Sequence, residues 1–547
     1  MALTFGDFLS IFTTNDASGG RAIKATFDTG IDDVQNYLTK NDPAGGRAIK
    51  VVNVGAPLGP QFWAEAYNAG TQATSSWTPV GAATNINAAI IPKGTGAIIA
   101  AIPDGTATGG NARGAYAVDL QTDRNAATQV ASGTYSVIVG GRRNTVTGEH
   151  GFIGAGWANS TTGNRGVVVG GESNSAATAV YQTIVGGGSN SINGNGSYGF
   201  IGGGGSNSIT QSYGVVSGGQ SNTASGQWST VGGGQQNTAS GTNWATVGGG
   251  TLNSASANGN VVAGGYQNNC GGNGYSTIVG GSSNSLSSQF YGFIGAGQSN
   301  NNAASYAVIC GGRNNSVSAG SPDGTIGGGQ SNTIFNSSWT VIGGGQSNSS
   351  NPGAGQSNQH NVIAGGLNNI SNSNLQSYTK IPGGAYANAS LYGQFAHASG
   401  QFAAAGDAQA HELIWRRAIT GTAQTELFLD GASIAAILPG TNSVWNGIID
   451  VTAICTVTGD GTTVVSHVAA TSYKVTIKRI GTTTSLVGGV QEIGITNADA
   501  SMSTAAFAID NNDTNESLRV RFTPPSTAGS TTVIRTIATF RGQQIQY

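Results

Sequence analysis

The chain has 547 residues, of which 90 are glycine and 12 are proline; only 8% are charged, and the formal net charge is -2. This composition fits neither collagen nor a charged disordered tail, so a repetitive and ordered architecture remains. The near-neutral charge argues against a nucleic-acid binder, which needs a basic surface to neutralise phosphates.

The first 127 residues divide into two regions. Residues 1–57 contain a duplicated decapeptide, NDASGGRAIK and NDPAGGRAIK, whereas residues 58–127 have the pattern of strands and turns and are interpreted as a β-rich connector or cap. The opening segment MALTFGDFLSIFTTND lacks the basic start of a secretory signal, and no apolar run reaches the length of a membrane helix. We therefore expect no membrane insertion.

Residues 128–406 repeat a Gly-Gly-x-x-Asn unit about 16 times, mostly at intervals of 15–17 residues. Isoleucine or valine stands six residues before each asparagine. A β-branched residue at one position of every unit indicates an inward-facing strand that stacks on the next unit. The repeat therefore predicts an all-β, glycine-rich β-solenoid (β-roll) rod. Its predicted core includes Ile184, Ile201, Val216, Val231, Val247, Val262, Ile278, Ile294 and Ile309.

A second column, nine residues before the asparagines, is aromatic. Packing is the favoured interpretation, either between subunits or as a self-stacked ladder. The alternative is glycan contact, because aromatic faces match the C–H faces of sugars. The candidates are Tyr181, Tyr198, Tyr213, Trp228, Trp244, Tyr275, Tyr291, Tyr306 and Trp339, with Tyr135, His150, His360 and Tyr378 at equivalent places.

From residue 407 to residue 547 the pattern changes to longer alternating strands, such as Ile449, Val451 and Ala453 on one face. One-sided alternation over this length predicts a β-sandwich or jelly-roll domain. Its aromatic residues Trp415, Trp445 and Tyr473 are expected in the core.

The units YSVIVGGRRNTVTG, YGVVSGGQSNTASG and WSTVGGGQQNTASG resemble the repeats of trimeric autotransporter adhesin heads and, more closely, a repeat of bacteriophage tail fibres and virion proteins. The resemblance implies a homotrimeric virion adhesin, made in the cytoplasm of the bacterial host. It implies that residues 1–57 attach to other tail or baseplate proteins, and that one end of the fibre meets the host surface. Residues 407–547 are then the receptor-binding candidate, with a host surface polysaccharide as ligand.

Glycan cleavage would need two carboxyl groups on a shared face. Between residues 130 and 406 the only acids are Glu149, Glu172 and Asp323, which we interpret as solvated turn residues. The sequence therefore predicts that the chain is not an enzyme and has no catalytic residues. Two alternatives stay open: a tailspike polysaccharide depolymerase, with its carboxylates at a subunit interface or in the C-terminal domain, and a purely structural baseplate or decoration protein.

No cofactor or metal motif is present: the histidines follow no ligand spacing, and no phosphate-binding loop occurs. The acidic segment DNNDTNES at 510–517 is interpreted as a polar turn, with calcium binding as the alternative. We expect no metal and no cofactor.

Overall fold

A computed structural model describes residues 14–15, 21–22, 62–67, 75–80 and 92–546, except 289, 353–357, 373–377, 439–441, 458–466, 494–496, 527 and 529–531. These residues form strands, turns and one short 3-10 turn at Ala500–Met502. No helix in this described part is long and apolar enough to cross a membrane. The chain divides into two compact units, 1–94 and 95–547.

The first unit contains two antiparallel strand pairs. Thr14–Asn15 pairs with Arg21–Ala22, and Phe62–Tyr67 pairs with Ser75–Val80. Most of the predicted attachment region, residues 1–57, lies outside the described residues.

The second unit is built mainly of about 18 short coils, which confirms the predicted β-solenoid. Each strand pairs in parallel with the equivalent strand of the next coil, and these pairings form two ladders. The first ladder begins at Ile98, before the predicted start at residue 128. Its strands are Ile98–Ile99, Val118–Asp119, Val137–Ile138, Phe152–Ile153, Val167–Val168, Thr183–Ile184, Phe200–Ile201, Val215–Val216, Thr230–Val231, Thr246–Val247, Val261–Val262, Thr277–Ile278, Phe293–Ile294, Val308–Ile309, Thr325–Ile326, Val341–Ile342, Val362–Ile363 and Lys380–Ile381.

The second ladder is a 16-stranded parallel sheet on another side of the same coils. Two minor parallel pairs join Ser337–Ser338 to Asn358–Gln359 and Gly384–Ala385 to Phe395–Ser399. The strands of the second ladder are Thr145–Val146, Ser160–Thr161, Ser175–Ala176, Ser191–Ile192, Ser208–Ile209, Thr223–Ala224, Thr238–Ala239, Ser254–Ala255, Asn269–Cys270, Ser285–Leu286, Asn301–Asn302, Ser316–Val317, Thr333–Ile334, Ser349–Ser350, Ile370–Ser371 and Asn388–Ala389.

From Val137–Ile138 onward, the second residue of each ladder strand points inward and the first points outward, because side chains alternate along a strand. The inward side chains are buried, and apart from Thr161, Asn302, Ser350 and Ser371 they form one continuous apolar core along the rod. The outward side chains differ between the two ladders. Those of the first are Val, Phe and Thr, apart from Lys380, whereas those of the second are mainly Ser, Thr and Asn.

A column of buried asparagines connects the coils at the turn between the two ladders. The Asn237 side chain donates to the carbonyls of Gly233 at 2.9 Å and Gly250 at 2.8 Å. Its amide oxygen accepts a bond from the backbone N–H of Asn253 at 3.0 Å. The backbone part of this pattern continues to Asn369, across a spacing of 21 residues after Asn348. From Asn144 to Asn369, successive coils are therefore held together through a buried polar column whose groups are satisfied.

The N-terminal end of the core carries a charge in place of an isoleucine. Asp119 lies one coil before Ile138 and is fully buried. Its carboxylate accepts from Arg113 Nε at 2.8 Å and lies 3.2 Å from Arg124 Nη2. The two guanidinium groups compensate the buried carboxylate, which would otherwise be costly to desolvate.

At the C-terminal end, the strand Phe395–Ser399 pairs antiparallel with Ala408–Thr420, so the rod continues into a larger sheet. Buried residues of this sheet and of a second, four-stranded sheet share one apolar core that includes Trp415, Trp445, Phe522 and Phe540. The larger sheet continues from Ala408–Thr420 through Val533–Gln546, Asn442–Val457 and His467–Ile480 to the short strands Thr483–Leu486, Gln491–Glu492 and Asn497–Ala498. In the second sheet, Ser517–Thr523 pairs with Thr425–Leu427 and Ala436–Ile437 on one edge and with Ala506–Asn512 on the other.

Candidate functional site

The aromatic column forms a stacked ladder on the surface of the rod. Neighbouring rings lie nearly parallel: Tyr198 and Tyr213 are 4.9 Å apart between ring centroids, and Trp228 and Trp244 are 5.5 Å apart. Stacks of this kind join Tyr116, Tyr135 and His150; Tyr181, Tyr198, Tyr213, Trp228 and Trp244; Tyr275, Tyr291 and Tyr306; and Trp339, His360 and Tyr378.

Every ring of the ladder sits on a residue in the left-handed backbone region, with φ from 42° at Tyr378 to 61° at Tyr213. This conformation costs roughly 1–2 kcal/mol per residue for L-amino acids other than glycine. The repeated backbone bond from each ladder N–H to a carbonyl one coil earlier, such as Tyr213 N to Ser197 O at 2.8 Å, offsets part of that cost. Stacking on the rings above and below contributes as well.

The ladder is exposed along the described rod. Inside a run, a ring that has a neighbour on each side is covered on both faces, so its edge and any tyrosine hydroxyl point to solvent. The rings of the column thus stack on one another within one chain. A sugar can stack on an aromatic face only where a neighbour is missing.

Three ladder positions carry no aromatic ring, and they were not predicted to belong to the ladder. Arg165 places its guanidinium 5.1 Å from the centroid of the Tyr181 ring and so continues the stack. The Tyr275 ring packs against Gly259: a Cβ atom on Gly259 would lie 2.7 Å from Tyr275 Cδ1. Asp323 has the same left-handed backbone, φ 58°, and is exposed. Each of the three stands nine residues before the next repeat asparagine, and this spacing was the sequence signal that could have identified them.

The two other acids between residues 130 and 406 lie in different columns of the rod. Glu149 precedes His150 of the aromatic ladder, and its carboxylate lies 3.5 Å from His150 Nε2. Glu172 occupies a different column, where it bridges to Trp157 and Gly188 near the asparagine turn.

A charged cluster lies on the outer face of the four-stranded C-terminal sheet. Asp510 accepts from Arg519 Nε at 2.6 Å and also contacts Arg521. Arg521 donates to Gln424 at 2.5 Å and lies opposite Glu426 across the strand pair. The pairing of three strands therefore brings together two carboxylates and two arginines that are distant in the sequence.

The two carboxyl groups of this cluster have different environments. Burial raises the pKa of Glu426 above its ordinary value, and the charge of Asp510 acts in the same direction, whereas Arg519 opposes the shift. Asp510 is held by both guanidinium groups. Burial therefore disfavours the charged form of Glu426, whereas two guanidinium groups contact the Asp510 carboxylate.

The remaining candidate residues of the C-terminal region have different partners. Asp513 accepts from the backbone N–H of Thr484 at 2.6 Å, and Glu516 pairs with Arg479, so the acids of 510–517 have different partners. No group of three metal-ligating side chains occurs in the described parts of the chain. Trp415 and Trp445 are fully buried in the core.

Comparison with known proteins gave matches to solved structures alone: no family model and no curated protein matches the sequence. The tailspike protein of Acinetobacter phage vB_ApiP_P1 is 10% identical, with a TM-score of 0.22, over 83% of this chain and 80% of that one. Tailspike gp49 of Acinetobacter baumannii bacteriophage Fri1, described as a capsular polysaccharide depolymerase, is 7% identical, with a TM-score of 0.18, over 74% and 72%. The tailspike of A. baumannii phage AM24 is 10% identical, with a TM-score of 0.14, over 73% and 67%.

All three of these structures are phage tailspike proteins. The predicted likeness to autotransporter adhesin heads is not confirmed. The prediction that the chain is not an enzyme is contradicted, because gp49 is described as a depolymerase, which is an enzyme. Identities of 7–10% transfer no residue roles, so the roles of individual residues are argued from geometry.

Proposed function

We propose that this chain is a phage tail protein that attaches the virion to a polysaccharide on the surface of its bacterial host. The observation that carries the proposal is the exposed aromatic ladder on a rod with very few charges. The outward tyrosine hydroxyls and indole edges can bond the many hydroxyls of a polysaccharide, and the rings at the ends of the stacked runs have a face that suits the C–H face of a sugar. In this proposal, residues 1–57 attach the rod to other tail proteins, and residues 407–547 contribute to receptor binding.

The proposal includes association of three copies through the outward side chains of the first ladder. That face is apolar and almost uncharged, whereas the outward face of the second ladder carries hydroxyl and amide groups. At strand spacing the first face is about 75 Å long and about 10 Å wide, or about 750 Å² per chain. In a trimer each chain shares this face between two neighbours, so each pairwise contact is smaller than the ~800 Å² per partner of a standard stable interface. Burial of such a face by a second copy removes an extended apolar strip from water.

A second candidate function is cleavage of the bound polysaccharide, favoured by the paired carboxyl groups of Glu426 and Asp510. Glu426 would protonate the leaving oxygen, because burial raises its pKa, while ionised Asp510 would act as base or nucleophile. Arg519 and Arg521 would hold the Asp510 carboxylate in position.

The test is size-exclusion chromatography of purified host envelope polysaccharide, before and after incubation with the purified protein. Co-elution with full-length polysaccharide is the expected result for attachment. Shortened polysaccharide with new reducing ends would establish cleavage. An unchanged profile for both components would reject both functions in favour of a structural role in the virion.

A further inference from the structure

The aromatic ladder is interrupted between Tyr306 and Trp339, where Asp323 occupies the ladder position. Register is kept across the interruption: Asp323 N–H donates to the carbonyl of Ser305 at 3.2 Å, and Trp339 N–H donates to that of Pro322 at 3.0 Å. Asp323 therefore stands on the coil between the two rings, in the backbone conformation that an aromatic residue has elsewhere in the ladder.

Each of the two flanking rings has one covered face and one face toward Asp323. Tyr291 covers Tyr306 at 5.4 Å, and His360 covers Trp339 at 5.0 Å. Two ladder spacings of about 5 Å separate the flanking rings, which leaves room for one ring stacked between them.

The gap has a polar group at its base. In the described part of the chain, no hydrogen bond or ion pair involves the Asp323 carboxylate, and the side chain is exposed. A free carboxylate accepts hydrogen bonds from two sugar hydroxyls, while the flanking rings stack on the C–H faces of the sugar. The other interruptions lack this combination, because Arg165 continues the stack and Tyr275 leans over Gly259.

We propose that Tyr306, Asp323 and Trp339 form a subsite for a single pyranose unit of the polysaccharide. The inference rests on the proposed attachment function and names where on the rod one sugar is held. Because Asp323 is negatively charged, the preferred unit is neutral or carries an amino group, and a uronic acid is disfavoured.

The test is saturation-transfer NMR of the full chain with the methyl glycosides of glucose, galactose, mannose, glucosamine and glucuronic acid. We expect transfer to the C–H protons of at least one neutral or amino pyranoside, and weaker transfer to the glucuronide. Asp323→Tyr fills the gap with the residue found elsewhere in the ladder and should reduce transfer at least fivefold. Its matched control, Arg165→Tyr, changes another ladder position in the same way and should leave transfer unchanged.

Equal transfer in the wild type and Asp323→Tyr, or no transfer to any pyranoside, would overturn the subsite. Thermal unfolding of both variants at the wild-type midpoint or above shows that the rod is intact. Co-elution of the wild type with native polysaccharide is measured separately. Chromatography therefore tests attachment, and the NMR experiment with the glycosides tests the subsite.

Discussion

The side-chain oxygen of Asn237 accepts a hydrogen bond from the backbone N–H of Asn253, one coil away, at 3.0 Å. Its amide nitrogen serves two glycine carbonyls, so one buried side chain satisfies three backbone groups. Asn237→Ala leaves these groups unpaired, and we expect a loss of about 2–4 kcal/mol in the free energy of unfolding. Urea denaturation measures this loss of stability. Gln235→Ala, an exposed change in the same coil, should cost less than about 0.5 kcal/mol.

Val231 is fully buried in the continuous core of the rod. Val231→Asp places an unpaired carboxylate there, and we expect several kcal/mol of destabilisation and a clear fall in the melting temperature. Thr238→Asp puts the same charge on an outward position of that coil and should melt close to the wild type. A melting temperature for Val231→Asp equal to the wild type would show that this column is not the core.

Thr230 and Thr238 belong to the same coil and both point outward, one from each ladder. If copies associate through the first ladder, Thr230→Lys places like charges together at the contact. The assembly should then dissociate, and its measured molecular mass should fall toward that of a single chain. Thr238→Lys should leave the oligomer unchanged. Light scattering after size-exclusion chromatography measures the mass, and equal masses for the two variants would exclude this face.

His411 packs between the rings of Trp445, at 4.7 Å, and Phe540, at 5.2 Å. Burial lowers the pKa of His411 to about 3, from 6.5 in the unfolded chain. The unfolded state therefore binds the extra proton between these values, so stability is complete above pH 6.5 and falls as the pH drops toward 3. From pH 6.5 to pH 5 we expect a loss of about 2 kcal/mol.

His411→Phe removes the titrating group and should weaken this acid sensitivity, as melting temperatures at pH 7, 6 and 5 would show. An identical pH profile for the variant would assign the sensitivity to other groups.

For the cleavage function, Glu426 must be protonated to act as the acid. Since burial raises its pKa, activity should persist above the ordinary range of a glutamate and fall as the pH rises through the raised pKa. Glu426→Gln should reduce the release of reducing ends at least 100-fold, with binding retained. Glu149→Gln, on the rod, is the control. Full activity in Glu426→Gln would remove this carboxyl from the reaction.

The solenoid could be predicted because its signal repeats in every coil: a β-branched residue such as Val231 must face inward each time. The aromatic column was also visible, but its left-handed backbone was not, because that conformation is disfavoured for Tyr213 or Trp228 taken alone. Contacts between successive coils stabilise it, and these appear only in three dimensions.

The charged C-terminal cluster was only partly predictable. Asp510 stood out within an acidic segment, whereas Glu426 is a single acid in an ordinary strand. Pairing of both strands with Ser517–Thr523 brings the two side chains to one face. Asp323 was interpreted as a solvated turn residue, since its meaning depends on the rings one coil away on either side.

The asparagine column continues unbroken from Asn348 to Asn369, although that coil is longer than most. Extra residues can thus enter at one corner of a coil while the register of the ladder is preserved on both sides. A gene encoding such a rod can gain or lose whole units by recombination between its repeats, and can acquire new loops at that corner. The length of the rod and the loops on its surface can then change independently of each other.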